Sequence, residues 1–130
     1  MDSQTQQQII PKDPRRRFGN RGEDLAAVFF MSKGFRILKR NWSCRVGEID
    51  LICERDGITR FVEVKTRKTT AYGNPEEAVT PTKLRHLARA IECYLHASSA
   101  PPTKYQIDVL GILTASGQKP EFHHVENVGM

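Results

Sequence analysis

The sequence predicts an α/β domain: a mixed central sheet, begun by an antiparallel meander and completed by a further strand, with helices packed on it. Three observations carry this. Segments 18–34 and 81–97 repeat apolar residues at helical spacing. Two alternating runs, "GEIDLICE" and "TRFVEVKT", flank Asp56-Gly57, a strong hairpin dipeptide. The run "KYQIDVLGIL" (104–113) is apolar almost throughout, as befits an interior strand covered on both faces.

Residues 1–14 are polar, Gln-rich and carry Pro11 and Pro14, the composition of a disordered arm. Residues 15–130 then form one domain, opening on the solvated charge run Arg15–Arg17. In the helix over 18–34, Phe18, Leu25, Ala26 and Phe29 share a face, Lys33 lies in the last turn and Gly34 follows as a stop. Glu23 lies on the row of Ala26, Ala27 and Phe30, beside the apolar stripe. A carboxylate half inside the core needs a reason; an exposed first-turn acid favoured by the helix dipole is the ordinary alternative. "FRILKRNW" (35–42) alternates as a strand, and the hairpin over 47–66 continues the meander. "KTTAYGNPEEAV" is a loop ending in one helical turn. Thr80-Pro81 supplies an N-cap and a proline at the first helical position. The helix beyond places Leu84, Leu87, Ala88, Ile91, Tyr94 and Leu95 on one face, until "SSAPPT" breaks it. "EFHHVEN" reads as a last, edge strand.

At 130 residues the chain is long enough for one core without disulfide staples. No stretch approaches the ~18 apolar residues of a membrane-spanning helix, and "MDSQTQQQII" is no secretory signal. Three cysteines, Cys44, Cys53 and Cys93, with no C-x-x-C, fit a reducing, cytoplasmic setting and give no zinc-ribbon signal. Gly-rich phosphate loops, nucleophile elbows and H-E-x-x-H are absent. The net charge of +5 is built by the first half: residues 1–70 hold 15 Lys/Arg against 9 Asp/Glu, whereas residues 71–130 hold 5 against 6. A basic half suits a polyphosphate partner.

The hairpin focuses the question. With a turn centred on Asp56-Gly57, Leu51 faces Val62, Ile49 faces Val64, Glu48 faces Lys65 and Asp50 faces Glu63. One side then carries Ile49, Leu51, Val62 and Val64 as a core face, and the other carries Glu48, Asp50, Glu63 and Lys65. Glu48 with Lys65 is an ordinary cross-strand ion pair. Asp50 opposite Glu63 is destabilising by like charge. Either one carboxyl takes up a proton or a divalent cation lies between them, and hard oxygen donors suit Mg²⁺ or Mn²⁺. Lys65, on the same side, is placed to hold a water or to neutralise charge on a phosphate.

An Asp…Glu-x-Lys set on a hairpin, preceded by a helix carrying Glu, resembles the PD-(D/E)xK nuclease superfamily and, within it, the archaeal-type Holliday junction resolvases. More closely, "GNRGEDLAAVFFMSKGFRILKRNW", "GEIDLI", "FVEVKTR", "YGNPEEAV" with Lys83, and "IDVL", spanning about residues 19–110, are similar to the YraN-like family of bacterial proteins, predicted to be endonuclease-like. The resemblance implies a restriction-endonuclease-like fold. It implies Asp50, Glu63 and the backbone carbonyl of Val64 as ligands of Mg²⁺ or Mn²⁺, Lys65 as the catalytic lysine, and Glu23 as a helix acid holding a water or a second metal. Gln106-Ile107-Asp108 stands where the family usually has Arg-Phe-Asp, so the role of that arginine is missing or supplied elsewhere. Ile49 stands where the superfamily's name has proline.

The expected activity is metal-dependent hydrolysis of DNA phosphodiester bonds, at branched or damaged DNA. A rim of Arg36, Lys39, Arg40, Arg45, Arg67 and Lys68, with Lys83, is expected to supply sequence-independent contacts. Cutting a four-way junction needs two sites, which implies a homodimer. The alternative is a catalytically silent nucleic-acid-binding module on the same fold. Trp42 and Tyr72 are candidates for base stacking but suit lids on a core as well. His123 and His124 are expected on an exposed edge, and His86 and His96 on the helix surface.

Overall fold

The computed structural model describes residues 21–71 and 73–129; the expected arm over 1–14, Arg15–Arg17, Phe18 and Tyr72 lie outside them. The chain runs α1 (Arg21–Ser32), β1 (Arg36–Cys44), β2 (Gly47–Arg55), β3 (Ile58–Arg67), a 3₁₀ turn (Pro75–Ala78), α2 (Pro81–Ala97), β4 (Tyr105–Leu113) and β5 (Glu121–Val125). Five strands form one sheet in the order β1-β2-β3-β4-β5. Only β3 and β4 run parallel, because α2 carries the chain back between them.

Local chemistry sets these elements. Asp56 and Gly57 both take positive φ, 57° and 77°, the two-residue turn that matches strand twist. The register follows: Arg55 pairs with Ile58 and Leu51 with Val62. The Thr80 hydroxyl accepts the Lys83 N–H at 3.2 Å and caps α2, with Pro81 at its first position.

The sheet has a core on each face. Against α1 lie Ala26, Phe30, Phe35, Ile37, Leu51, Cys53, Val62, Leu110 and Ile112. Against α2 lie Ile49, Ile52, Phe61, Leu87, Ala90, Ile91 and Ile107. A mixed sheet with a helix on either side is the restriction-endonuclease-like arrangement. The sequence expectation needs adjustment in three places. The buried row of α1 is Ala26, Ala27 and Phe30, with Leu25 and Phe29 at its margin, so Glu23 belongs to the core-facing row itself. Ala88 is exposed rather than on the buried face of α2. Ile49 packs on the α2 face, while Leu51, Val62 and Val64 belong to the α1 face.

That third departure has a local cause. Asn41, in the middle of β1, has φ of 52°. Arg40 pairs with Leu51 and Trp42 with Ile49, but Asn41 and Asp50 between them do not pair. A left-handed residue breaks the two-residue alternation. Arg40, already brought to the α1 side by the register shift between Ile37 and Lys39, and Trp42 therefore fall on opposite sides, and on the α2 side the Trp42 ring meets Tyr94 edge-on at 5.3 Å. Trp42 is a lid on the core.

Candidate functional site

The β2–β3 ladder ends at Leu51–Val62. Beyond it, β2 stays paired with β1 down to Gly47, and β3 stays paired with β4 out to Arg67. The sheet therefore forks, and the charged residues of the hairpin stand in the fork. The Asp50 carboxylate takes over where the ladder stops, with Oδ2 accepting the Val64 N–H at 2.9 Å. Glu48, Asp50, Glu63, Lys83, His86 and Leu87 line a cleft of 290 Å³ there, between the fork and the first turns of α2.

Electrostatics mark the fork as under-compensated. Burial, and then the charge of Asp50, push Glu63 up to about 7 against the relief offered by Lys65 and Lys83. Burial likewise raises Asp50 above its ordinary value, with the Val64 N–H opposing. Glu23 reaches the same place from α1: burial and the Asp50 charge push it up to about 7, opposed by the nearby Asn41 amide and the charge of Arg40. The approach of α1 depends on Gly22, where a Cβ would lie 2.4 Å from Thr66 Cγ2. Three carboxyls from three elements thus meet with too little positive charge to keep them all ionised.

The cations gather at one end. The Lys65 ammonium lies 3.9 Å from Glu63 Oε2. Among the described residues this replaces the expected ion pair of Lys65 with Glu48. Lys83 is exposed, and the neighbouring Lys65 ammonium lowers its pKa, with loss of solvent and the charge of Arg67 adding to the effect. Lys65, Lys83 and Arg67 thus form a basic group beside the acidic one. Exposed Lys68 follows Arg67, and exposed Arg45 lies in the β1–β2 turn.

Other expected rim residues lie elsewhere. The Arg40 side chain is 3% exposed and its Nη2 binds Asp24 Oδ1 at 2.6 Å, so it is a core cation beneath α1. The shift follows from the register irregularity between Ile37 and Lys39, which sets Arg40 opposite Leu51 on the α1 side. Arg36 is exposed but ion-paired with Glu54, near the hairpin turn and away from Asp50. Lys39 is exposed opposite Ile52. His86 and His96 are exposed, and His86 lines the cleft. Sequence reasoning missed Asn41 and the part of Glu48 as a third acid of the cleft. Asparagine inside a strand, where it is depleted, was the available signal for Asn41.

A second polar cluster answers the question raised by Gln106. Asp108, fully buried, accepts from Arg60 Nη1 at 3.1 Å, Gln106 Nε2 at 2.8 Å and the Asn127 N–H at 3.0 Å, and contacts His124 Nε2 at 2.7 Å. Arg60 also reaches Glu126 at 2.7 Å. Burial alone would raise Asp108, yet these bonds hold it below the ordinary carboxylate range. Asp108, His124 and Glu126 lie close enough to share an ion, but the Arg60 guanidinium already occupies that role. Arg60, on the neighbouring strand and paired with Gln106, thus supplies a cation where the family's arginine would stand. His123 is held between Glu76 and Glu121, so both histidines are half-buried structural groups rather than free edge residues.

The donor set of the fork suits a hard divalent cation. Asp50, Glu63 and Glu48 offer carboxylate oxygens to one cleft, and buried Glu23 Oε1 has no hydrogen-bond partner among the described residues. No described helix is long and apolar enough to cross a membrane.

Comparison with known proteins returns one family. The sequence model of "Uncharacterised protein family UPF0102" matches residues 22–112. A UPF0102 protein of Syntrophomonas wolfei is 45% identical over 112 residues, covering 86% of this chain and 96% of the relative. A UPF0102 protein of Leifsonia xyli is 42% identical, covering 85% and 93%, and one of Geobacter sulfurreducens 43% identical, covering 84% and 85%. The match spans Glu23, the fork, Lys83 and Asp108.

Proposed function

The chain belongs to the UPF0102, or YraN-like, family, and we propose that it is a metal-dependent endonuclease-like protein that hydrolyses DNA phosphodiester bonds, at branched or damaged DNA. One observation carries the reading: the β2–β3 ladder opens where Asp50 and Glu63 stand, leaving two carboxyls with raised pKa values in a solvent-reached cleft beside Lys65. A hairpin under selection for stability alone would place neutral or opposite charges there. Perturbed carboxyls in a cleft are the mark of a working site.

Asp50 and Glu63, with the Val64 carbonyl, would hold Mg²⁺ or Mn²⁺. When bound, the cation supplies Lewis-acid polarisation of the phosphate and lowers the pKa of a water. The remaining work falls to the chain. Lys83 and Arg67 bind a backbone phosphate at the mouth of the cleft, through charge and without reading bases. Lys65, next to Glu63, donates to phosphate oxygens as negative charge grows on them. Glu23, with its pKa about 7, accepts a proton from a water on the α1 side of the fork.

Linear, nicked and four-way-junction DNA, incubated with wild type and Asp50→Ala across Mg²⁺ and Mn²⁺, test this. Wild type is expected to nick at least one substrate and Asp50→Ala none, with both folded. Gel filtration alongside tests the homodimer that junction cutting requires. Absence of cleavage of every substrate together with absence of cation binding by calorimetry would sink the proposal. Salt-sensitive DNA binding without cleavage, indifferent to chelator, would select the silent binding module.

A further inference from the structure

We infer that Asn41 is a positioning residue of the fork: its amide orients the Glu23 carboxyl, and its left-handed backbone sets the angle at which Asp50 enters the cleft. This rests on reading the cleft as a cation-holding site.

The backbone comes first. Asn41 is the sixth residue of the nine in β1, with φ of 52°. A left-handed residue belongs in turns, and no turn is present here; asparagine tolerates that region better than most residues but is depleted in strands. Such a conformation persists where the surroundings over-determine it, and it clusters at functional sites. Its effect is visible in both strands. Arg40 and Trp42 face opposite sides of the sheet, as do Leu51 and Ile49 across from them. Asp50, between Leu51 and Ile49, is paired neither with Asn41 nor with Glu63. Freed on both sides, its carboxylate turns to the Val64 N–H and the cleft.

The side chain adds an independent observation. The Asn41 amide lies near enough to the Glu23 carboxyl to favour its ionised form. Asn41 Oδ1 and Glu23 Oε1 are both buried and lack hydrogen-bond partners among the described residues. Arg40, whose side chain is 3% exposed, binds Asp24 through Nη2 and leaves Nε and Nη1 in the same condition. One buried acceptor, Asn41 Oδ1, and two buried donors, Arg40 Nε and Nη1, thus accompany the buried Glu23 Oε1. Buried polar groups are ordinarily paired, so the set calls for a bridging ligand. A strand built only to pack would have no use for this set. Partners that orient a ligand carboxylate tune the affinity of the metal it serves.

Mn²⁺ titration calorimetry on the full chain, with the melting temperature of each cation-free protein, tests the inference. Asn41→Gly keeps the backbone at positive φ and removes the amide; Asn41→Ala removes both. Asn41→Gly is expected to weaken Mn²⁺ binding about tenfold while melting within a few degrees of wild type. Asn41→Ala, which also strains the backbone, is expected to lose more. Should Asn41→Ala fail to fold, Asn41→Gly still decides. Mn²⁺ binding by Asn41→Gly within twofold of wild type would overturn the inference while leaving the cleft reading intact. Failure of wild type itself to bind Mn²⁺ would overturn the cleft reading, and this inference with it.

Discussion

Asp50 and Glu63 divide two tasks that a single carboxyl could not perform. Asp50 completes the fold by capping the Val64 N–H where the ladder stops, and Glu63 pairs with Lys65 along the same strand. The Asp50 charge raises the proton affinity of Glu63, while burial and the Glu48 charge raise that of Asp50, so removing the Asp50 charge should relieve Glu63. Asp50→Asn keeps an oxygen for Val64 and is expected to raise cation-free stability at pH 7.5 by on the order of 1 kcal/mol, read by urea unfolding, while abolishing Mn²⁺ binding. A variant that is less stable than wild type would show that the pair is already compensated. Lys65→Ala separates binding from chemistry: Mn²⁺ affinity should hold or rise, because a competing cation has gone, while nicking is lost. That Asp50, Glu63 and Lys65 lie near one another was legible in the sequence, since a two-residue turn fixes register by counting; that Asp50 leaves the ladder for the Val64 N–H and Lys65 turns to Glu63 rather than Glu48 was not. The company of Lys83 was legible only through the family resemblance. Arg40 was misread, because plain alternation assumes one residue opposite one, and the register shift between Ile37 and Lys39 moves Arg40 to the α1 side before left-handed Asn41 returns Trp42 to the α2 side.

At the scale of elements, the site is where three of them end or fork. The fork brings β2 and β3, the capped N-terminus of α2 brings Lys83, and the N-terminus of α1 brings Glu23. The hairpin, both helices and the interior strand were legible from periodicity and turn chemistry. The fork was not, because a ladder that stops leaves no mark in an alternating pattern; only the cost of Asp50 facing Glu63 hinted at it. The close approach of α1 makes a sharp test. An alanine at Gly22 would press its Cβ onto Thr66 Cγ2, and β-branched threonine has few rotamers with which to yield. Gly22→Ala should cost roughly 1–2 kcal/mol and weaken Mn²⁺ binding by moving Glu23. Adding Thr66→Ser, which deletes that methyl, should restore both. If the second change restores neither, the contact is not what positions α1. On the opposite side, Asp108→Ala leaves Arg60 buried with only the half-exposed Glu126, and a loss of about 3–5 kcal/mol in thermal or urea unfolding is expected.

Across the whole molecule the two polar clusters act on stability with opposite signs, and pH separates them. Glu23 and Glu63 have ordinary values of 4.5, raised to about 7 in the fold. Between these values the folded chain holds more protons than the unfolded one, so their contribution is full below about pH 4.5 and is lost as pH rises through 7. Asp108 is held below its ordinary value of 3.8, so its contribution is present above that value and is lost as pH falls through the lowered one. The cation-free protein should therefore be most stable near pH 4.5–5. Discounting the two glutamates for solvent and mutual coupling, stability should fall by on the order of 2 kcal/mol from pH 5 to pH 7.5. A divalent cation binds the ionised carboxyls and competes with their protons, so Mg²⁺ or Mn²⁺ should recover the loss at pH 7.5 and do little at pH 5. Urea unfolding at both pH values, with EDTA and with Mn²⁺, measures all four corners. Asp50→Asn should make the limb above pH 5 shallower, because the Asp50 charge, second to burial in driving protons onto Glu23 and Glu63, is gone, and should erase the Mn²⁺ recovery. Asp108→Asn should alter only the acid limb. Equal stabilisation by Mn²⁺ at both pH values would mean that the cation binds somewhere other than the fork.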